Sequence, residues 1–215
     1  MARFSREIAK DSDTERRILD AARTVFVRRG TAGARMQEIA EEAGVNQALL
    51  HYYFRTKERL AATVFREAAS RLIPAALGVF GSGDPLELKI EKFVHLYIDT
   101  VKRAPFLPGY VLSEMHHHPE RLTAMLNSTG TDPAPVIAAF RNRLQSELDE
   151  RALNGTMRAI AVEQFIASMM GVIVIPFVAR PALRVIFSMD DEAFDRFIDE
   201  RRAELPKLIL NSLRP

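Results

Sequence analysis

The chain has 215 residues, a formal net charge of +2 and no cysteine. That length supports one large domain or two modest ones with real cores. The missing cysteine excludes disulfides, thiolate zinc sites, iron–sulfur clusters and a cysteine nucleophile, and it suits a reducing cytoplasm, where we place the protein.

Charge is unevenly spread: residues 1–60 hold 12 Lys and Arg against 9 Asp and Glu, a balance of +3, and the remainder holds 18 against 19, a balance of −1. Helix formers dominate and alternating strand patterns are scarce, so the fold class is all-α. Residues 1–11, with Arg3, Arg6 and Lys10 among polar neighbours, read as a loose arm without the apolar stretch of a signal peptide. Ser12-Asp13-Thr14-Glu15 has the form of a capping box, and Ile18, Ala21, Ala22, Val25 and Phe26 then make a helical stripe that ends at Gly30.

The stretch from Ala34 to Lys57 organises the chain. Met36, Ile39, Ala40 and Ala43 recur at helical spacing, and Gly44 stops that helix because glycine enters the left-handed conformation without a steric penalty. Asn46 is a good N-cap for a second short helix, Gln47 to Tyr53, whose buried face is Leu49, Leu50 and Tyr53. Any two helices joined by a glycine share those apolar positions. The outward set is less ordinary: Gln47, Ala48, His51 and Tyr52 are compact, polar or aromatic, unlike the Glu/Lys mixture of a merely solvated helix. This is a helix-turn-helix, with Gln47–Tyr53 as the helix a DNA major groove admits. The DNA-contacting set is Arg35, Gln37, Asn46, Gln47, Ala48, Leu49, His51, Tyr52, Tyr53 and Lys57. Gln47 can pair bidentately with adenine, Ala48 and Leu49 can meet a thymine methyl, and Lys57 at the next helix start can meet a phosphate.

Read together, RRILDAARTVFVRRG, MQEIAEEAGV and LLHYYFRTKERL, from Arg16 to Leu60, resemble the N-terminal domain of the TetR/AcrR family of transcriptional regulators. The resemblance covers about the first quarter of the chain. Two positions depart from the family pattern. Ala34 stands where Thr or Ser usually caps the helix before the turn, and His51 stands where a phosphate-binding Tyr is usual, with Tyr52 and Tyr53 close by. The resemblance implies a homodimer on a palindromic operator, repression, and release when a small molecule enters the C-terminal part.

Beyond the motif, a fourth helix starts near Thr56-Lys57 and runs toward Phe80, with Pro74 kinking or ending it. Asp84, Pro85 and Glu87 open a fifth helix with the stripe Ile90, Phe93, Val94, Tyr97 and Val101. Pro105 and Pro108 bracket a break before a short sixth helix through Tyr110, Leu112 and Met115; another short helix follows Pro119, and 127–132 is a loop. Asp132-Pro133 starts a helix that stops at Asn154-Gly155. The next, Met157 to Phe177, is apolar nearly all round and ends at Pro176 and Pro181. The last starts at Ser188 or Asp190, with Pro206 as a kink. Phe165 to Ala179 is shorter than the ~20 residues a bilayer span needs and contains Gly171 and Pro176, so it reads as a buried helix, with no membrane partner.

These elements divide into a three-helix DNA-binding domain, 12–56, and a helical effector-binding and dimerisation domain, 57–215, about nine helices in all. Phe93, Tyr97, Tyr110, Met115, Phe140, Phe165 and Met169 form the candidate effector pocket, suited to an apolar or aromatic guest. Ile166, Met170, Ile173, Phe177, Phe194, Phe197, Ile198, Leu205 and Leu208 form the candidate dimer interface, a four-helix bundle across a two-fold axis. Three adjacent histidines, His116, His117 and His118, point about 100° apart on a helix and cannot all ligate one ion, so they read as a polar helix end; no metal or cofactor is expected. No nucleophile elbow, zinc-protease or dinucleotide motif is present, and the protein reads as no enzyme. The competing reading is a helical small-molecule-binding or interaction protein that no longer binds DNA; Gln47, Tyr52, Tyr53 and Lys57 argue against it.

Overall fold

The structure is a computed structural model that describes residues 2–117 and 134–215; for residues 2–11, 68, 69, 71, 113–115 and 117 it describes the backbone alone. Ten α-helices lie among the described residues: α1 (Ala2–Gly33), α2 (Met36–Ala43), α3 (Gln47–Tyr53), α4 (Lys57–Gly81), α5 (Leu86–Arg103), α6 (Leu107–His117), α7 (Ala134–Leu153), α8 (Val162–Val178), α9 (Arg180–Ile186) and α10 (Asp191–Asn211). The short helix expected after Pro119 and the loop at 127–132 lie outside the described residues. Two units emerge, Met1–Ser70 with Ala104–Val111, and Arg71–Arg103 with Leu112–Pro215.

In the first unit, Ile18, Ala22, Val25 and Phe26 of α1 meet Ile39, Ala40 and Ala43 of α2, Leu50 of α3, and Leu60, Ala61 and Val64 of α4. Ala40 and Ala43 are the small residues that let backbones approach. The expected loose arm is instead helical, because no glycine or proline interrupts residues 2–29; Ser12–Glu15 therefore lies within α1 and does not cap it. Gly30 breaks α1 where expected, with φ 67° and ψ 167° outside the helical region.

The second unit is built on α5. Leu86, Ile90, Phe93, Val94, Tyr97 and Ile98 are buried with Phe165, Met169 and Ile173 of α8 and Phe194, Ile198, Leu205 and Ile209 of α10, and Leu144 and Leu148 of α7 join them. Asp99 holds Arg202 through two bonds, 2.8 and 3.1 Å, and Lys102 pairs with Asp199, so α5 and α10 are also joined at their rims. Lys89 is the buried charge of this core, 3% exposed, with Nζ 2.6 Å from Glu147 Oε2. Beside that pair Arg151 grips Glu87 bidentately at 2.5 and 2.8 Å, which holds the Glu87 carboxyl below its ordinary range.

Three sequence expectations change here. The helix expected from Met157 begins at Val162, because Arg158 is held by the C-terminal backbone, its N–H donating to Leu213 O (2.8 Å) and its Nε to Ser212 O (2.8 Å). The Gln145 amide then caps the start, accepting from Val162 N at 2.7 Å. Pro181 opens the extra helix α9 instead of ending α8, since its missing N–H falls in a first turn where none is needed. Pro176 lies inside α8. A helical proline leaves the carbonyl four residues back without its donor. That carbonyl belongs to Val172, and Arg201 Nη2 of α10 donates to it at 2.8 Å. Pro74 and Pro206 likewise lie inside α4 and α10.

Candidate nucleic-acid interface

The turn between α2 and α3 is made by backbone bonds that need Gly44. Its φ of 63° and ψ of 36° let Gly44 N–H donate to Glu41 O (3.1 Å) and Val45 N–H to Ala40 O (3.0 Å), satisfying two carbonyls at the end of α2. Arg17 Nη2 of α1 takes a third, Ala43 O, at 2.7 Å. Asn46 then caps α3: its Oδ1 accepts from Leu49 N at 2.7 Å. The N-cap of α2 is Arg35, one residue after the expected Ala34, and its side chain makes no cap bond.

This frame fixes what α3 presents. Leu50 is fully buried and Tyr53 half-buried, while Gln47, Ala48, His51 and Tyr52 face solvent, Tyr52 at 76% exposure. The Tyr52 ring meets Tyr53 edge-on, centroids 5.4 Å apart. Leu49 departs from the expected buried face: at 36% exposure it stands on the outer side, because helical spacing gives the inner face to Leu50 and Tyr53. Arg35 and Gln37 at the start of α2 are exposed, and Gln37 Nε2 donates to Glu41 Oε1 at 3.0 Å. Asn46, as the cap, keeps its amide N–H groups for other partners.

Lys57 makes contacts that span too long a stretch of chain to be read from local pattern. Its ammonium donates to Ala32 O (3.0 Å) and Ala34 O (3.2 Å), tying the start of α4 to the link between α1 and α2. An ammonium carries three N–H donors, so one remains for a phosphate. Thr56 caps α4, its Oγ1 accepting from Arg59 N at 3.2 Å.

The candidate effector residues are divided. Phe93, Tyr97, Phe165 and Met169 are buried in the second unit and Phe140 is half-buried there. Their rings continue through two aromatics not singled out from sequence as pocket residues: Phe80 lies 5.3 Å from Phe93 and 6.1 Å from Phe140, and Phe177 lies 6.4 Å from Tyr97, centroid to centroid. Burial pushes the Tyr97 hydroxyl up to about 12. Tyr110 is not among them. It belongs to the core of the first unit, 5.6 Å from the Phe65 ring, because 104–111 folds with that unit. The side chain of Met115 lies outside the described residues, as do those of His117 and His118; His116 is exposed.

Of the candidate interface set, Ile173, Phe194, Ile198 and Leu205 are buried in the subunit's own core and are withdrawn from that role, since a side chain already covered offers no surface to a partner. Ile166, Met170, Phe177 and Phe197 are half-buried and Leu208 is 51% exposed. Apolar side chains missed from sequence also stand out: Val185, Ile186 and Phe187, 81, 68 and 60% exposed, at the end of α9, and Ile175 on α8. A run of three apolar residues just before Ser188 was the available signal. No single helix among the described residues is long and apolar enough to cross a membrane.

Known proteins with similar sequences and shapes agree with this architecture. The chain is 33% identical over 118 residues to the HTH-type transcriptional repressor SCO4008 of Streptomyces coelicolor, 53% of this chain and 60% of that one. It is 42% identical over 55 residues to the HTH-type transcriptional regulator BetI of Rhizobium meliloti, 26% of this chain and 27% of that one. The matches thus span less than two thirds of either relative. Among solved structures, HlyIIR, a hemolysin II transcriptional regulator, shares the fold at a TM-score of 0.57 and 23% identity, covering 95% of this chain and 98% of that one. The fatty acid degradation regulator FadR from Bacillus halodurans does so at 0.62 and 19%, covering 94 and 96%. The sequence model described as "Bacterial regulatory proteins, tetR family" matches residues 18–64, which hold the buried stripe of α1, the glycine turn and α3. Over that helix-turn-helix segment the chain is similar to the tetR family of bacterial regulatory proteins.

Proposed function

We propose that this protein is a ligand-responsive transcriptional regulator, a homodimeric repressor released from a palindromic operator by a small molecule. The observation that carries the reading is α3: a seven-residue helix, capped by Asn46 and anchored by Leu50, that turns Gln47, Ala48, His51 and Tyr52 to solvent. Residues 12–56 bind DNA in this reading, and 57–215 bind the effector and form the dimer. The cluster of Phe93, Tyr97, Phe140, Phe165 and Met169 suits an apolar or aromatic effector. Both named relatives are HTH-type regulators, and SCO4008 is named a repressor.

Titration against selected operator DNA and scrambled DNA at several salt concentrations tests the interface. Gln47→Ala is expected to relax preference at one base pair per half-site, a contact of about 1–3 kcal/mol, and to leave the salt slope nearly unchanged. Lys57→Ala is expected to weaken binding to all sequences and reduce the salt slope by about one phosphate, with a stability loss of about 1 kcal/mol from the two carbonyl bonds. Equal sequence dependence and equal salt slopes for the two variants would contradict this placement of α3.

The dimer rests on α8 and α10, whose surfaces offer Ile166, Met170, Phe177, Phe197 and Leu208. A two-fold axis there sets the operator half-sites ~34 Å or a multiple apart. Phe197→Asp is expected to yield monomers in sedimentation, because a carboxylate buried without a partner opposes association. A monodisperse monomer from the unaltered chain would sink the dimer.

A further inference from the structure

His51, on the outward face of α3, has a narrower chemistry than its exposed position requires, and its role depends on the DNA-binding reading already proposed. It stands four residues after Gln47, so both lie on one exposed face, one turn apart. Its Nδ1 is 3.2 Å from the backbone carbonyl oxygen of Arg55, just beyond the end of the helix. A carbonyl oxygen only accepts, so the hydrogen of that bond sits on Nδ1. A neutral imidazole has a single N–H, and with it on Nδ1 the other nitrogen, Nε2, has a bare lone pair. That bond favours the tautomer protonated at Nδ1 and leaves an acceptor at Nε2.

We propose that His51 reads sequence by accepting, at Nε2, a hydrogen bond from the exocyclic amino group of an adenine or a cytosine in the major groove. Those amino groups, N6 of adenine and N4 of cytosine, are the donors that bases present there; guanine offers the acceptors N7 and O6, and thymine the acceptor O4 and an apolar methyl, none of which donates a hydrogen bond to the lone pair. The same chemistry separates His51 from the phosphate-holding side chains beside it. Phosphate oxygens are acceptors, so neutral His51 has nothing to offer them at Nε2, whereas the hydroxyl of Tyr52 and the ammonium of Lys57 can donate. It also separates His51 from Gln47, whose amide both donates and accepts. One turn of α3 therefore carries a two-way reader and the next an acceptor-only reader.

Two measurements decide it. Long-range nitrogen–proton NMR in mildly alkaline buffer, where imidazoles are neutral, is expected to show His51 with its proton on Nδ1, its signals assigned by their loss in His51→Ala. Binding is then measured on sequences enriched from random DNA, replacing one adenine at a time by purine, or one cytosine by 2-pyrimidinone, each lacking the amino group. At one base per half-site the unaltered protein is expected to lose roughly three- to tenfold in affinity and His51→Ala to lose nothing further, while Gln47→Ala keeps the loss at that base. Alanine at this exposed helical position leaves α3 able to form. A proton on Nε2, or amino-group losses equal in the unaltered protein and His51→Ala at every base, overturns this inference alone. Failure to enrich any sequence from random DNA overturns the DNA-binding reading and this inference with it.

Discussion

Leu50→Ala is expected to lower the stability of the protein by about 2–5 kcal/mol and to abolish DNA binding. Leu50 is fully buried, and it is the one residue of α3 in the core with no exposure at all. Seven residues cannot hold a helix in water by themselves, so α3 depends on that contact. Its backbone is equally committed: Leu50 N–H donates to Asn46 O at 3.1 Å and its carbonyl accepts from Phe54 N at 2.8 Å. The loss is a large share of the roughly 5–15 kcal/mol that holds an ordinary domain. The neighbour provides the control. Leu49, 36% exposed, is expected to cost less than ~1 kcal/mol as alanine, because little surface is withdrawn from water there. Chemical denaturation followed by circular dichroism compares the two; matching midpoints would contradict the burial of Leu50.

The second large effect is an asymmetry in the buried ion pair. Glu147→Ala is expected to destabilise by about 3 kcal/mol, and Lys89→Met by much less. The ammonium of Lys89 has its side chain 4% exposed and cannot reach water when its partner is gone, whereas the Glu147 side chain, 22% exposed, can turn outward. Methionine also fills the space of the lysine stem. Thermal melts of the two single variants decide the order. A more severe loss for Lys89→Met would mean that the stem's packing, not the stranded charge, dominates.

Much of the first unit was legible because its signals are local. Ile39, Ala40 and Ala43 lie within two turns, Gly44 takes a left-handed conformation that favours glycine, and Asn46 caps three residues ahead. Residues acting across long separations were not legible. Lys57 reaches back to Ala32 and Ala34, and Gln145 caps a helix that starts at Val162. A helical stripe says which face is covered but not by whom, which is why Ile173, Phe194, Ile198 and Leu205 read from sequence as partner-facing and belong to the subunit's own core. Lys89 could have been found. It lies three residues after Leu86 and four before Phe93, on the buried face of α5, and a lysine there calls for an acid opposite.

The proline inside α8 makes the identities of two distant positions depend on each other. With Pro176 in place, Val172 O has no helical donor and Arg201 supplies one. An ordinary residue at 176 restores the N–H, and the arginine then has no such duty. Substitutions at the two sites are therefore non-additive. Loss of Arg201 is harmful beside proline and milder beside alanine, so the order in which the two changes arrive decides whether a lineage can pass through both.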